Sequence, residues 1–74
     1  MNAASSKGSV YRITELVGTS TTSWEEAAKN AVETAASTLR DIRIGEVTKL
    51  DVVVDEGKVS AFRARVNVSF KYEK

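Results

Sequence analysis

From Ala61 to Lys71 the chain alternates with a period of two. Phe62, Ala64, Val66, Val68 and Phe70 fall on one side, and Arg63, Arg65, Asn67, Ser69 and Lys71 on the other. That is the pattern of a strand with one buried face, and Tyr72 prolongs it. A strand of about 13 residues is more than twice the usual length of about 5–6, and at about 3.3 Å per residue it spans roughly 43 Å. The preceding run behaves as its partner: Ile42, Ile44, Leu50, Val52 and Val54 share a side that is interrupted by Glu46 and Thr48. Between the runs, Asp55-Glu56-Gly57-Lys58 offers in Gly57 the positive φ that a short hairpin loop with a bulge needs.

A chain of 74 residues must find cover for this hairpin within itself or in other copies. Residues 1–8 are small, polar and aperiodic, and are expected to form a flexible N-terminal tail ahead of a single domain over residues 9–74. A first strand is predicted from Val10 to Val17, with Tyr11, Ile13 and Val17 on one face and Glu15 on a solvated margin. Gly18-Thr19-Ser20-Thr21-Thr22 is expected to be a loop. Ser23-Trp24-Glu25-Glu26 has capping-box spacing, with Ser23 as the cap and Glu26 reaching back to it. The helix is predicted to run to Leu39 or Arg40, with Trp24, Ala27, Ala28, Ala31, Val32, Ala35 and Leu39 inward and Glu25 and Lys29 pairing outside.

About 17 helical residues make a rod of only about 25 Å. Its alanines allow close approach to a sheet but bury little area. At about 25 cal/mol per Å², each uncovered Val or Phe forgoes roughly 1.5–3 kcal/mol. The overhang, expected toward Phe70, Tyr72, Ile42 and Ile44, therefore calls for neighbouring copies, and a homo-oligomer is predicted.

The chemistry-bearing residues are few. The absence of Cys rules out disulfides and thiolate metal sites, and the absence of His removes the usual proton carrier at neutral pH. No nucleophile stands beside a base, so the chain is expected not to be an enzyme. Eleven basic and 10 acidic residues give a net charge of +1, which favours neither nucleic acid nor an anionic membrane. With no spanning segment and no signal-peptide pattern, a cytoplasmic protein is expected. Gly18-Thr19-Ser20 before a helix is read as an ordinary turn, with an anion cradle as the alternative. With a simple hairpin register, Arg63, Arg65 and Lys71 lie opposite Arg43 and Lys49, with Glu46, Asp51 and Asp55 interleaved, and are read as a solvated ion ladder. Trp24 is read as a packing residue or interface anchor.

Glu15-Leu16-Val17-Gly18-Thr19-Ser20, the alanine-rich helix, a strand from Ile42 and the closing Phe62-Arg63-Ala64-Arg65-Val66-Asn67-Val68-Ser69-Phe70 together resemble the dodecins. The resemblance covers about residues 9 to 73 and implies an α+β fold of β-α-β-β order, with a three-stranded antiparallel sheet wrapped around one helix. It also implies a hollow homododecamer that binds or stores a small ligand or ion. Flavin-binding members stack a Trp on the flavin and pair a Gln with its edge. The equivalent positions here are Ile44 and Arg63, with Gly45 beside Ile44 where an aromatic often follows. Ile44 has no π face and Arg63 only donates. Thr22-Ser23-Trp24-Glu25, Asp41-Ile42-Arg43 and Phe62-Arg63 are instead similar to the calcium-binding dodecins. Calcium is thus the leading ligand, and a flavin-storing dodecin with an altered pocket is the alternative. Calcium takes about 6–8 oxygens. The carboxylates on offer are Glu15, Glu25, Glu26, Asp41, Glu46, Asp51 and Asp55, and no local spacing selects among them.

Overall fold

The computed structural model describes residues 9–71. The expected tail and Tyr72 lie outside the described residues. Four elements follow one another: β1 (Tyr11–Ser20), α1 (Trp24–Ala36), β2 (Ile42–Asp55) and β3 (Lys58–Lys71). The sheet order is β1-β3-β2, antiparallel at both pairings, so the strictly alternating strand takes the central position. This is the β-α-β-β arrangement that the pattern implies.

Strand β1 is longer than expected. Gly18, Thr19 and Ser20, predicted as loop, pair with Ala64, Arg63 and Phe62, because the 14-residue β3 offers them backbone partners. The helix is shorter than expected and ends at Ala36. Its last carbonyls are taken by tight turns, Ser37 N to Thr34 O at 3.2 Å and Leu39 N to Ala35 O at 2.8 Å, so Leu39 still packs on the core from beyond the helix. The chain then enters β2 through Asp41 at φ 59°.

The core is built of small side chains. Ala27, Ala31 and Ala35 of α1 bury against Ala64, Val66 and Val68 of β3. Gly18 lets the helix approach closely: a Cβ there would stand 2.0 Å from the Ala27 carbonyl oxygen and 2.9 Å from the Ala31 Cβ. Asn30 Nδ2 donates to the Thr19 carbonyl at 3.0 Å, tying α1 to the free margin of β1.

Strand β2 departs from simple alternation. Register shifts fall between Ile42 and Ile44, Val47 and Lys49, and Val53 and Val54. Residues opposite one another share a face, so Ile42, Gly45, Val47, Leu50 and Val52 face the helix side with Phe70, Val68, Val66, Ala64 and Phe62. Ile44, Glu46, Lys49 and Asp51 face the other side. The expected single-faced run of Ile42, Ile44, Leu50, Val52 and Val54 is corrected accordingly. Each bulge re-phases the strand, and this is why Glu46 and Thr48 seemed to interrupt an apolar side. The turn closes on two residues, Glu56 (φ 50°) and Gly57 (φ 78°), with Asp55 opposite Lys58, as a two-residue hairpin requires.

Helix α1 lies on β1 and β3 and barely touches β2. Val47 and Leu50 are therefore about half exposed (46% and 51%), as are Val54 and Val59 at the hairpin tip. Phe70 and Ile42 are only partly exposed. The uncovered apolar surface thus lies along the inner side of β2 and at the tip, and on the opposite face near the Phe70 end, where Ile44, as expected, is exposed together with Tyr11 and Ile13. With a radius of gyration of 15.7 Å, the protomer is far more extended than the roughly 11 Å of a compact chain of its length.

Candidate functional site

The strand-to-helix junction is organised by Ser20. Its hydroxyl accepts from the backbone N–H of Thr22 (2.9 Å) and Ser23 (3.3 Å) and donates to Glu26 Oε1 at 2.7 Å. Ser23 caps the helix as expected, accepting from Glu26 N at 3.0 Å. The Glu26 carboxylate turns to Ser20 instead of reaching back to Ser23, which corrects the capping-box expectation. Gly18, Thr19 and Ser20 are paired in the sheet and the junction amides of Thr22 and Ser23 are already bonded, so the junction is a structural turn.

Trp24 opens the helix and bridges to the hairpin. Its indole N–H donates to the Asp51 carbonyl at 2.9 Å, and its ring meets Phe62 edge-on with centroids 5.1 Å apart. The expected inward position is corrected: Trp24 is 38% exposed and, with Glu25, Ala28, Val47 and Leu50, borders a largely apolar groove over β2.

On the opposite face of the sheet, Arg63 makes a bidentate ion pair with Asp51, Nε to Oδ1 at 2.8 Å and Nη2 to Oδ2 at 2.9 Å. Ile44 is on this face too, opposite Ser69 and 56% exposed. Gly45 faces the helix side, where a Cβ would meet Val32 Cγ2 at 2.9 Å. Ser69 lies six positions beyond Arg63 along β3, about 20 Å of strand. One chain therefore does not bring Ile44, Gly45 and Arg63 together. The carboxylates are dispersed as well: among the described residues, no three of them gather closely enough to hold a metal ion. Of the expected ion ladder, the structure forms the Arg63–Asp51 rung, while Lys49 stands opposite Arg65 and Glu46 opposite Asn67.

Arg63 hydrogen bonds hold the Asp51 carboxyl below its ordinary value of 3.8, and the positive charges of Arg63, Arg65 and Lys49 act in the same sense. The Ser20 hydroxyl does the same for Glu26, ordinarily 4.5. A depressed carboxyl contributes stability above its unfolded value and loses that contribution as pH falls through the folded one. Acidification below those ordinary values is therefore expected to loosen both contacts. The fluorescence of Trp24, the sole Trp, should report the change, and in Asp51→Asn the Asp51 part of the titration should vanish. Both groups are exposed, so added salt should shrink the effect.

The fold agrees with the comparisons. The dodecin family profile matches residues 10–73. Calcium dodecin of Mycobacterium tuberculosis is 43% identical over 63 residues, covering 85% of this chain and 89% of its own. Its crystal structure, described as that of a calcium-chelating antigen, superimposes with a TM-score of 0.77 at 44% identity, covering 88% of this chain and 93% of its own. Dodecin from Streptomyces coelicolor gives a TM-score of 0.83 at 35% identity, covering 89% of this chain and 94% of its own. The chain belongs to the dodecin family of small, non-catalytic ligand-binding proteins. Among the described residues no helix is long and apolar enough to cross a membrane.

Of the residues that organise these contacts, Ser20 and Asn30 escaped the sequence reading. Their partners are six and 11 positions away, and neither short motif nor periodicity links such pairs.

Proposed function

We propose that the chain works as a hollow homododecamer that binds or buffers a small ligand or ion, with calcium as the leading candidate. The observation that carries this reading is the open apolar side of β2, with Val47 and Leu50 half exposed beside the Trp24 groove. Burying such side chains is worth roughly 1.5–3 kcal/mol each, and twelve-fold closure supplies the cover within the family to which the chain belongs. Ile44 of one copy and Arg63 of another are brought into a shared pocket by assembly, since a single chain holds them apart. Ile44 occupies the place of the aromatic that stacks on flavin elsewhere in the family, and Asp51 already occupies the Arg63 guanidinium, so flavin binding is weak. Dispersed carboxylates likewise meet only where copies converge, which is how sparse oxygen ligands satisfy a hard cation.

Sedimentation combined with calcium titration by calorimetry tests the reading. The expected result is a particle of twelve chain masses that takes up calcium and releases it to a chelator. A monomer at micromolar concentration would overturn the assembly. A dodecamer indifferent to calcium that quenches riboflavin fluorescence would move the ligand assignment to flavin.

A further inference from the structure

Arg65 lies at the middle of the central strand, half-buried, and its direct neighbour on β2 is another cation, Lys49. Like charges placed opposite one another destabilise a sheet, and among the described residues neither side chain has an ion-pair partner. The juxtaposition is produced by the bulge at Thr48. Unbroken alternation from Glu46 would turn Lys49 to the helix side. The extra residue instead sets Lys49 opposite Arg65, and Thr48 Oγ1 fixes it by donating to the Arg65 carbonyl at 3.2 Å. Bulges commonly serve to re-aim a side chain.

The basic character is confined to this one row, and the surroundings are mixed. Val17 borders Arg65 on the β1 side. The next row in one direction is Thr19–Arg63–Asp51, in which Asp51 is locked to Arg63 and cannot turn to Arg65 without breaking that pair. The next row in the other direction is Glu15–Asn67–Glu46, about 7 Å along the strands. The central row thus holds two cations and no carboxylate; Asp51 in one flanking row is committed to Arg63, and Glu15 and Glu46 stand one row away on the other side.

We propose that Lys49 and Arg65 form an oxyanion site on the face of the sheet away from the helix, suited to a phosphoryl group. The planar guanidinium donates two parallel hydrogen bonds to a phosphoryl oxygen pair, and the lysine supplies a compact charge beside it. The Asn67 carboxamide borders the site as a neutral donor. The inference goes beyond the proposed cation and storage role, because it concerns a ligand of opposite charge at residues outside the Ile44 and Arg63 positions.

Inorganic pyrophosphate titrated calorimetrically into the intact protein at low salt tests it, with particle size recorded in parallel. The wild type is expected to bind, and more weakly as salt rises. Lys49→Gln and Arg65→Gln are each expected to weaken binding by about tenfold or more, and the helix-surface control Lys29→Gln to leave it unchanged. Lys49 is exposed, so its variant stays informative if Arg65→Gln folds poorly. No binding by the wild type, or equal losses in all three variants, overturns the site. If Lys49→Gln instead alters the particle size and leaves pyrophosphate affinity intact, the pair contacts a carboxylate of another copy and the proposal fails, whatever the calcium titration shows.

Discussion

Gly18→Ala is expected to be the most damaging single-methyl change in the chain, costing about 3 kcal/mol or more. The added carbon would stand 2.0 Å from a backbone oxygen of α1, at Ala27, and 2.9 Å from the Ala31 Cβ. A flexible side chain could swing aside, but a helix carbonyl cannot move without the helix. The helix would have to lift from β1, opening the cluster of Ala27, Ala31, Ala35, Ala64, Val66 and Val68. Since Val66 and Val68 are the largest fully buried side chains, little else would hold it. A large fall in the denaturation midpoint, with faster amide exchange in α1, is the expected measurement. An unchanged midpoint would show that the helix rides higher on the sheet than described.

Leu50→Asp is expected to act on assembly and hardly at all on the protomer. Leu50 is 51% exposed in the single chain, so a carboxylate there meets water and disturbs little. In a particle that covers the Trp24 groove, the same carboxylate would be desolvated in every copy, and the lost burial of roughly 1.5–3 kcal/mol per leucine would multiply with the number of copies. Sedimentation should then show small species that retain the far-ultraviolet dichroism of the fold. Full-size particles from Leu50→Asp would move the subunit contact elsewhere on the sheet.

The residues that the sequence interprets well are those whose neighbours are set by local period. The alternation of Phe62 to Lys71 identifies β3, and the spacing of Ala27, Ala31 and Ala35 identifies the helix face. The inward face of β2 was not legible, because its phase is reset at three places by the partner strand. A bulge leaves no mark that distinguishes Thr48 from any other polar residue in a strand. The end of β1 was masked for a related reason: Gly18, Thr19 and Ser20 have turn chemistry locally, and β3 overrides it by offering Ala64, Arg63 and Phe62 as partners. At the candidate site, the alternating charges set the cations of β3 against Lys49 and the carboxylates of β2, but which residues stand opposite is decided by the bulge, which sets Lys49 against Arg65 and Asp51 against Arg63. Ile44 and Gly45, adjacent in sequence, end on opposite faces of the sheet.

The broken phase of β2 also governs what the molecule avoids becoming. A flat, evenly spaced margin invites another strand to lie alongside it and then another, until a fibre grows. Here the outermost ladder carries three dislocations within 14 residues, so an incoming ribbon in regular register cannot match more than a few consecutive positions. Growth by endless addition at the β2 edge is frustrated from within the backbone itself, whereas the evenly registered β1 forms the regular margin of the sheet.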